Sequence, residues 1–265
     1  MLLKIRHTTT YTYDRPVDYA LQKVRLRPQR VSVQDVLDWN ITITGGTVEA
    51  RYIDQYGNEV ELVNVDVGAR EVVIAVNGTV ETNNTTGIFG TVYGRAPLWH
   101  FQQPTPATTA GQGILALAKG TADAADRVDA LHRLSDRILA ATPYQAGITG
   151  AGTLAEEALA LGAGVCQDHA QIFIAAARSQ GIPARYVSGY LMINDVVDQD
   201  ATHAWAEAHV NGLGWVGFDI SNGVSPDDRY VRIAVGRDAR DAAPIEGLRM
   251  GSSTEHMIVS LQVQQ

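Results

Sequence analysis

Between Leu3 and about Thr82, β-branched and aromatic residues recur at every second position in "HTTTYTY", "DWNITITG", "ARYIDQYGNEVELVNV" and "EVVIAVNGTVET", the period of strands with one face buried. Asn and Gly interrupt the runs at Gly45-Gly46, Gly57-Asn58 and Asn77-Gly78, which predicts an antiparallel sheet or sandwich assembled from hairpins. The stretch "NNTTGIFGTVYGRAPLWHFQQPTPATTA" has no sustained period and contains Pro97, Pro104 and Pro106. It reads as a connecting segment.

After about residue 110 the period lengthens. In "ADAADRVDALHRLSDRILAAT" the residues Val128, Leu131, Leu134, Ile138 and Leu139 recur at three- and four-residue steps, predicting a helix with Thr121 or Asp123 as its cap. "TLAEEALAL" predicts a shorter helix with Thr153 as N-cap and Glu156 at capping-box spacing. A third begins near Cys166 and runs through "QDHAQIFIAAARSQ", with Ala170, Phe173 and Ala177 facing inward, until Gly181 and Pro183 end it. Strands follow in "ARYVSGYLMI", "THAWAEAHV", "GWVGFDI" and "HMIVSLQV". The expected architecture is α+β: a β-rich, sandwich-like N-terminal domain over 1–84, a connecting segment over 85–110, and a mixed domain over 111–265 that closes with a β extension.

Composition narrows the function. With 265 residues, 45% hydrophobic and 19% charged, the chain is that of a folded globular protein. Its 21 basic and 29 acidic residues give net −8, which argues against nucleic-acid and anionic-membrane partners. The densest basic run, Lys23, Arg25, Arg27 and Arg30, has the alternate spacing of a strand's solvent face. "MLLKIRHTTT" lacks the apolar core of a signal peptide, no apolar run is long enough for a membrane span, and a cytoplasmic location is expected. A single cysteine forms no intrachain disulfide and no thiolate-rich zinc site.

That cysteine, Cys166, stands in "GAGVCQDHA". Free thiols are often buried fillers. Here the glycines allow close backbone approach, and the helix start supplies unpaired N–H groups and a positive dipole end that favour thiolate. Asp168, in the same turn, partly opposes this. His203 in "THAWAEAHV" is the candidate base; it shares a strand face with Trp205, Glu207 and His209, whereas Ala204, Ala206 and Ala208 share the other. Either face suits the helix after the cysteine. Asp219, ending "GWVGFDI", is the candidate acid. If Val210 pairs with Gly214 across a three-residue loop, Asp219 falls opposite Trp205 on the His203 face; a four-residue loop turns it away. His169 is a weaker candidate base, because it leaves the same helix as the thiol. Trp205 is a candidate substrate contact at the cleft.

"GVCQDHA", "GIPARYVSGY", "HAWAE" and "GWVGFDISNG" together resemble the core of the bacterial transglutaminase-like proteins, a branch of the papain-like cysteine enzymes. The β-rich first part and the tail "RIAVGRDARDAAPIEGLRMG" are similar to flanks of the same subfamily. At the position after "CQD", where family members often carry an aromatic residue, this chain has His169. The resemblance implies a transglutaminase-like core with Cys166 as nucleophile at a helix start packed on an antiparallel sheet, His203 as base and Asp219 as orienting acid. It implies a Cys-His-Asp cysteine-nucleophile hydrolase or acyltransferase that cleaves or transfers amides of a peptide, protein or small molecule through a thioester, with no cofactor and no metal. Trp99 and Gln167 are candidates for a second oxyanion donor beside the Cys166 N–H. The alternative is a non-catalytic scaffold that uses the same fold for protein interaction.

Overall fold

The computed structural model describes residues 1–91, 95–194, 196–250 and 254–265. The first six strands are β1 (Leu2–Tyr13), β2 (Tyr19–Val24), β3 (Gln34–Thr44), β4 (Gly46–Ile53), β5 (Glu59–Val65) and β6 (Glu71–Thr82). Buried and exposed positions alternate along β1 and β6, as the period-two sequence requires. The pairs at Gly45-Gly46 and Gly57-Asn58 lie where the chain turns from β3 to β4 and from β4 to β5. Asn77-Gly78 does not turn. Both residues sit inside β6, and Gly78 is there because the Trp39 ring covers it: a Cβ would stand 2.3 Å from Trp39 Cε3.

After the short strand β7 (Ile88–Gly90) come α1 (Gln112–Ala118), α2 (Arg127–Ala141), α3 (Ala155–Leu161) and α4 (Cys166–Ser179). Strands β8 (Ala184–Leu191), β9 (Asp198–Gln199), β10 (His203–Val210), β11 (Gly214–Phe218), β12 (Tyr230–Gly236), β13 (Ile245–Met250) and β14 (Glu255–Gln264) complete the chain. The connecting segment expected over 85–110 therefore contributes β7, which pairs with β11; residues 92–94 of that segment lie outside the described residues.

The fold is mixed α+β with mostly antiparallel sheets. Two of them, in the orders β3-β6-β1-β14-β9 and β13-β2-β5-β4, enclose a core of Tyr11, Val24, Val63, Ile74 and their neighbours. This sandwich takes strands from both ends of the chain. The extension that sequence pattern attaches to the mixed domain pairs with β1 through β14 and with β2 through β13.

The third sheet runs β12-β8-β10-β11-β7. Helix α4 lies on one face of it, and Ala204, Ala206 and Ala208 of β10 join Ile172, Phe173 and Ile174 of α4 in one buried cluster. The small-residue face is thus the one that meets the helix, because alanines let the helix backbone approach the sheet. Each fully buried Ile or Phe of this kind contributes about 1.5–3 kcal/mol. Leu3, Ile5, Val80, Leu261 and Val263 of the sandwich belong to the same cluster, so sandwich and sheet share a core.

Side-chain amides complete the join. Edge strand β12 would leave backbone groups unpaired, but Gln34 exchanges hydrogen bonds with Arg232 N–H and C=O at 2.9 and 2.8 Å. Asn58 does the same with Val235 at 2.9 and 2.8 Å. The basic run around Arg25 also turns inward: Arg25 donates to Glu246 at 3.1 Å and Arg27 to Glu61 at 2.9 Å. Lys23 and Arg30 stay exposed, so the expected solvent-facing stripe of cations is only half present.

Helix caps differ from expectation in two places. Helix α2 starts at Arg127, where Asp126 accepts from Asp129 N–H at 3.0 Å. In α3 the carboxylate that returns to the cap, Leu154 N–H, is Glu157 at 3.1 Å. Glu156 instead reaches α1, accepting from the N–H groups of Gly111, Gly113 and Ile114 at 2.9, 2.7 and 3.1 Å. A long-range carboxylate cap of this kind has no local sequence signal. No helix among the described residues is long and apolar enough to cross a membrane.

Candidate active site

Cys166 opens α4 behind Val165, whose extended backbone ends the preceding segment. Like the other first-turn amides, its N–H has no carbonyl one turn earlier to bond. The turn is held by Asp168: its Oδ2 accepts from Val165 N–H at 2.8 Å and from Thr149 Oγ1 at 2.6 Å. Gly164 is needed for this, since a Cβ there would lie 2.9 Å from both Cβ and Oδ2 of Asp168. The thiol is half-buried.

The β10–β11 hairpin has the three-residue loop, with Val210 opposite Gly214 and Ala206 opposite Phe218. Continued by one step, that register puts Asp219 level with Trp205 and on the His203 side. The side chains meet: His203 Nε2 donates to Asp219 Oδ2 at 2.6 Å. Cys166 is the other group that acts on this imidazole.

Asp219 is fully buried. Its Oδ2 also accepts from Asn222 Nδ2 and Tyr230 OH, both at 2.7 Å. Burial raises its carboxyl pKa, and the bonds from His203, Asn222 and Tyr230 more than reverse this, leaving it below the usual carboxylate range. Burial likewise disfavours charge on His203. Hydrogen bonding and charge interaction with Asp219 and Cys166 outweigh it, and the imidazole is pushed up to about 10. The arrangement favours an imidazolium beside sulfur at neutral pH.

Trp205, expected as a substrate contact, is 1% exposed and has no open face. Its ring lies 27° from that of His203 at 6.3 Å and meets Tyr230 edge-on at 5.5 Å. It is the floor that fixes the histidine ring. His169 is not placed to be a base either. It is fully buried, Nε2 donates to Thr142 O at 2.6 Å, and Nδ1 accepts from Ser221 Oγ at 2.7 Å. Burial lowers its pKa, so it ties α4 to the turn after Asp219 as a neutral ring.

Of the two expected second oxyanion donors, Trp99 lies far from the thiol and Gln167 has one of its two amide hydrogens engaged. Trp99 sits in a turn whose Phe101 carbonyl accepts from Arg178, at the far end of α4, roughly 20 Å of helix away. The Gln167 amide donates to Ala151 O at 3.3 Å. Sequence reasoning missed Asn222 and Tyr230. Asn222, three residues after Asp219, had a signal in its turn-forming type; Tyr230, eleven residues on, had none.

A helix that opens at a lone thiol and packs on an antiparallel sheet carrying an imidazole–carboxylate pair places the chain among mixed α+β folds of the transglutaminase-like kind. Residues 115–220 match the Transglutaminase-like superfamily and residues 3–81 the Bacterial transglutaminase-like N-terminal region. The chain belongs to the bacterial transglutaminase-like proteins, a thiol-dependent enzyme family. An uncharacterized protein of Mycobacterium leprae is 28% identical over 275 residues, 98% of each chain. Uncharacterized proteins of Mycobacterium tuberculosis are 34% identical over 146 residues, 51% of this chain and 46% of theirs, so that match spans about half of those relatives. The crystal structure of a candidate cysteine protease from Cytophaga hutchinsonii has the same fold, with TM-score 0.76 and 24% identity over 100% of this chain and 98% of that one.

Proposed function

We propose that the protein cleaves or transfers acyl groups at amide bonds of a peptide, protein or small amide, with Cys166 as nucleophile, His203 as base and acid, and Asp219 as orienting carboxylate. His203 Nδ1 takes the thiol proton. Sulfur attacks the carbonyl carbon, the π pair moves to oxygen, and the Cys166 N–H donates to that oxyanion. Collapse breaks the C–N bond as the imidazolium protonates the leaving amine, and a thioester remains. Water or an amine, deprotonated by His203, then attacks the thioester and releases the thiol.

The reading is carried by the 2.6 Å bond from His203 Nε2 to a buried carboxylate whose Oδ2 takes three donors. It fixes the tautomer whose free nitrogen serves sulfur. Iodoacetamide tests it: Cys166 is alkylated rapidly near neutral pH, and His203→Ala slows the reaction by an order of magnitude or more. Labelling at the rate of an ordinary thiol, unchanged in the variant, supports the scaffold instead. Mass analysis of a peptide library treated with the protein then separates hydrolysis, deamidation and cross-linking.

A further inference from the structure

Attack by sulfur puts charge on the substrate oxygen, and a single backbone N–H holds it poorly. We propose that the phenol of Tyr144 is the second oxyanion donor, an assignment that rests on the thiol-enzyme reading above. Tyr144 follows α2 and runs parallel to the approach to the nucleophile, forming a bridge with Gly164. Gln145 N–H donates to Gly164 O at 2.8 Å, and Gly164 N–H to Pro143 O at 3.3 Å. These bonds fix the backbone of Tyr144 alongside a residue only two positions before Cys166.

The ring is directed by a rigid neighbour. It meets the His169 ring at 6.2 Å and 64°, and His169 is anchored at both nitrogens one turn along from the thiol. Tyr144 is nevertheless 57% exposed, and its hydroxyl makes no hydrogen bond to the described residues. A donor without a partner, beside the nucleophile and open to solvent, suits an incoming carbonyl oxygen. Burial, with the nearby charges of Cys166 and Asp219, raises the phenol pKa, so the proton stays in place at neutral pH. As the S–C bond forms, the Cys166 N–H and the Tyr144 O–H both donate to the oxyanion; collapse returns the electron pair to the carbonyl and expels the leaving group.

The test compares two reactions of the same sulfur. p-Nitrophenyl acetate acylates through an oxyanion; iodoacetamide alkylates at a saturated carbon without one. Tyr144→Phe is expected to slow the nitrophenolate burst by about 10²-fold, while alkylation keeps its rate and its dependence on His203. Tyr144→Leu, which also removes the ring, is expected to lose as much. A Tyr144→Phe burst within about threefold of wild type, or a parallel fall in alkylation, overturns the assignment. A wild-type protein with no burst and with alkylation indifferent to His203 overturns the thiol-enzyme reading itself, and the assignment with it.

Discussion

Replacing Asp219 by Asn separates charge from orientation at this site. Oδ2 receives three donors, His203 Nε2, Asn222 Nδ2 and Tyr230 OH, so the amide of the variant must present its oxygen there. Presenting its NH2 would set donor against donor three times over. The His203 tautomer therefore survives Asp219→Asn, and the loss is electrostatic. The span from 6.5 to about 10 for His203 corresponds to roughly 5 kcal/mol at about 1.4 kcal/mol per pH unit. Asp219 and Cys166 both contribute to it. Burial opposes the charge, so the two together supply more than this span, and losing the carboxylate's part costs on the order of 2 kcal/mol or more, at least ~30-fold in how strongly the imidazole holds a proton. Iodoacetamide alkylation of Cys166 at pH 7 is the assay: Asp219→Asn slows it by that order, and His203→Ala slows it further. A variant indistinguishable from wild type refutes the electrostatic argument. One as slow as His203→Ala shows that the ring has turned, and refutes the argument from three donors.

Three further outcomes follow from the same contacts. Glu156→Ala, which strips the cap from three α1 amides, lowers stability by about 1–2 kcal/mol in urea unfolding and leaves alkylation of Cys166 unchanged. Glu207 is fully buried between Arg185 and Arg232 at 2.6 Å each, and Glu207→Gln leaves two buried guanidinium groups without their counter-charge; unfolding free energy falls by roughly 3–5 kcal/mol. Because the Asp219 pKa in the fold lies below its ordinary 3.8, the stability it lends is fully present above pH 3.8 and is lost as pH falls through the folded value. Wild-type and Asp219→Asn unfolding curves should therefore converge in acid, and a constant gap between them would contradict the assignment.

Legibility in the sequence followed the range of the interactions. The strand of His203, the start of α4 at Cys166 and the existence of the hairpin are set by local periodicity, by glycine spacing and by turn chemistry; which of two loop lengths closes the hairpin, and so whether imidazole and carboxylate share a face, is settled only by the observed register. The choice of face for α4 is tertiary: only packing shows that the alanines of β10 meet the helix and that Trp205 is buried beneath His203. Contacts across long sequence separations were invisible. Glu156 caps a helix more than forty residues earlier, Arg25 pairs with Glu246, and the final strands return to β1 and β2. Gly78 misled for a related reason, since a glycine demanded by Trp39 on the next strand looks, one residue at a time, like a turn.

The central claim is that Cys166 attacks carbonyl carbon with the help of His203. Intact-mass and peptide analysis after brief exposure to p-nitrophenyl acetate at neutral pH tests it most directly. The account predicts one acetyl group, released by hydroxylamine, on the peptide containing Cys166 in wild type and almost none in His203→Ala. An acetyl group found elsewhere, or present on Cys166 to the same extent in both proteins, would contradict it.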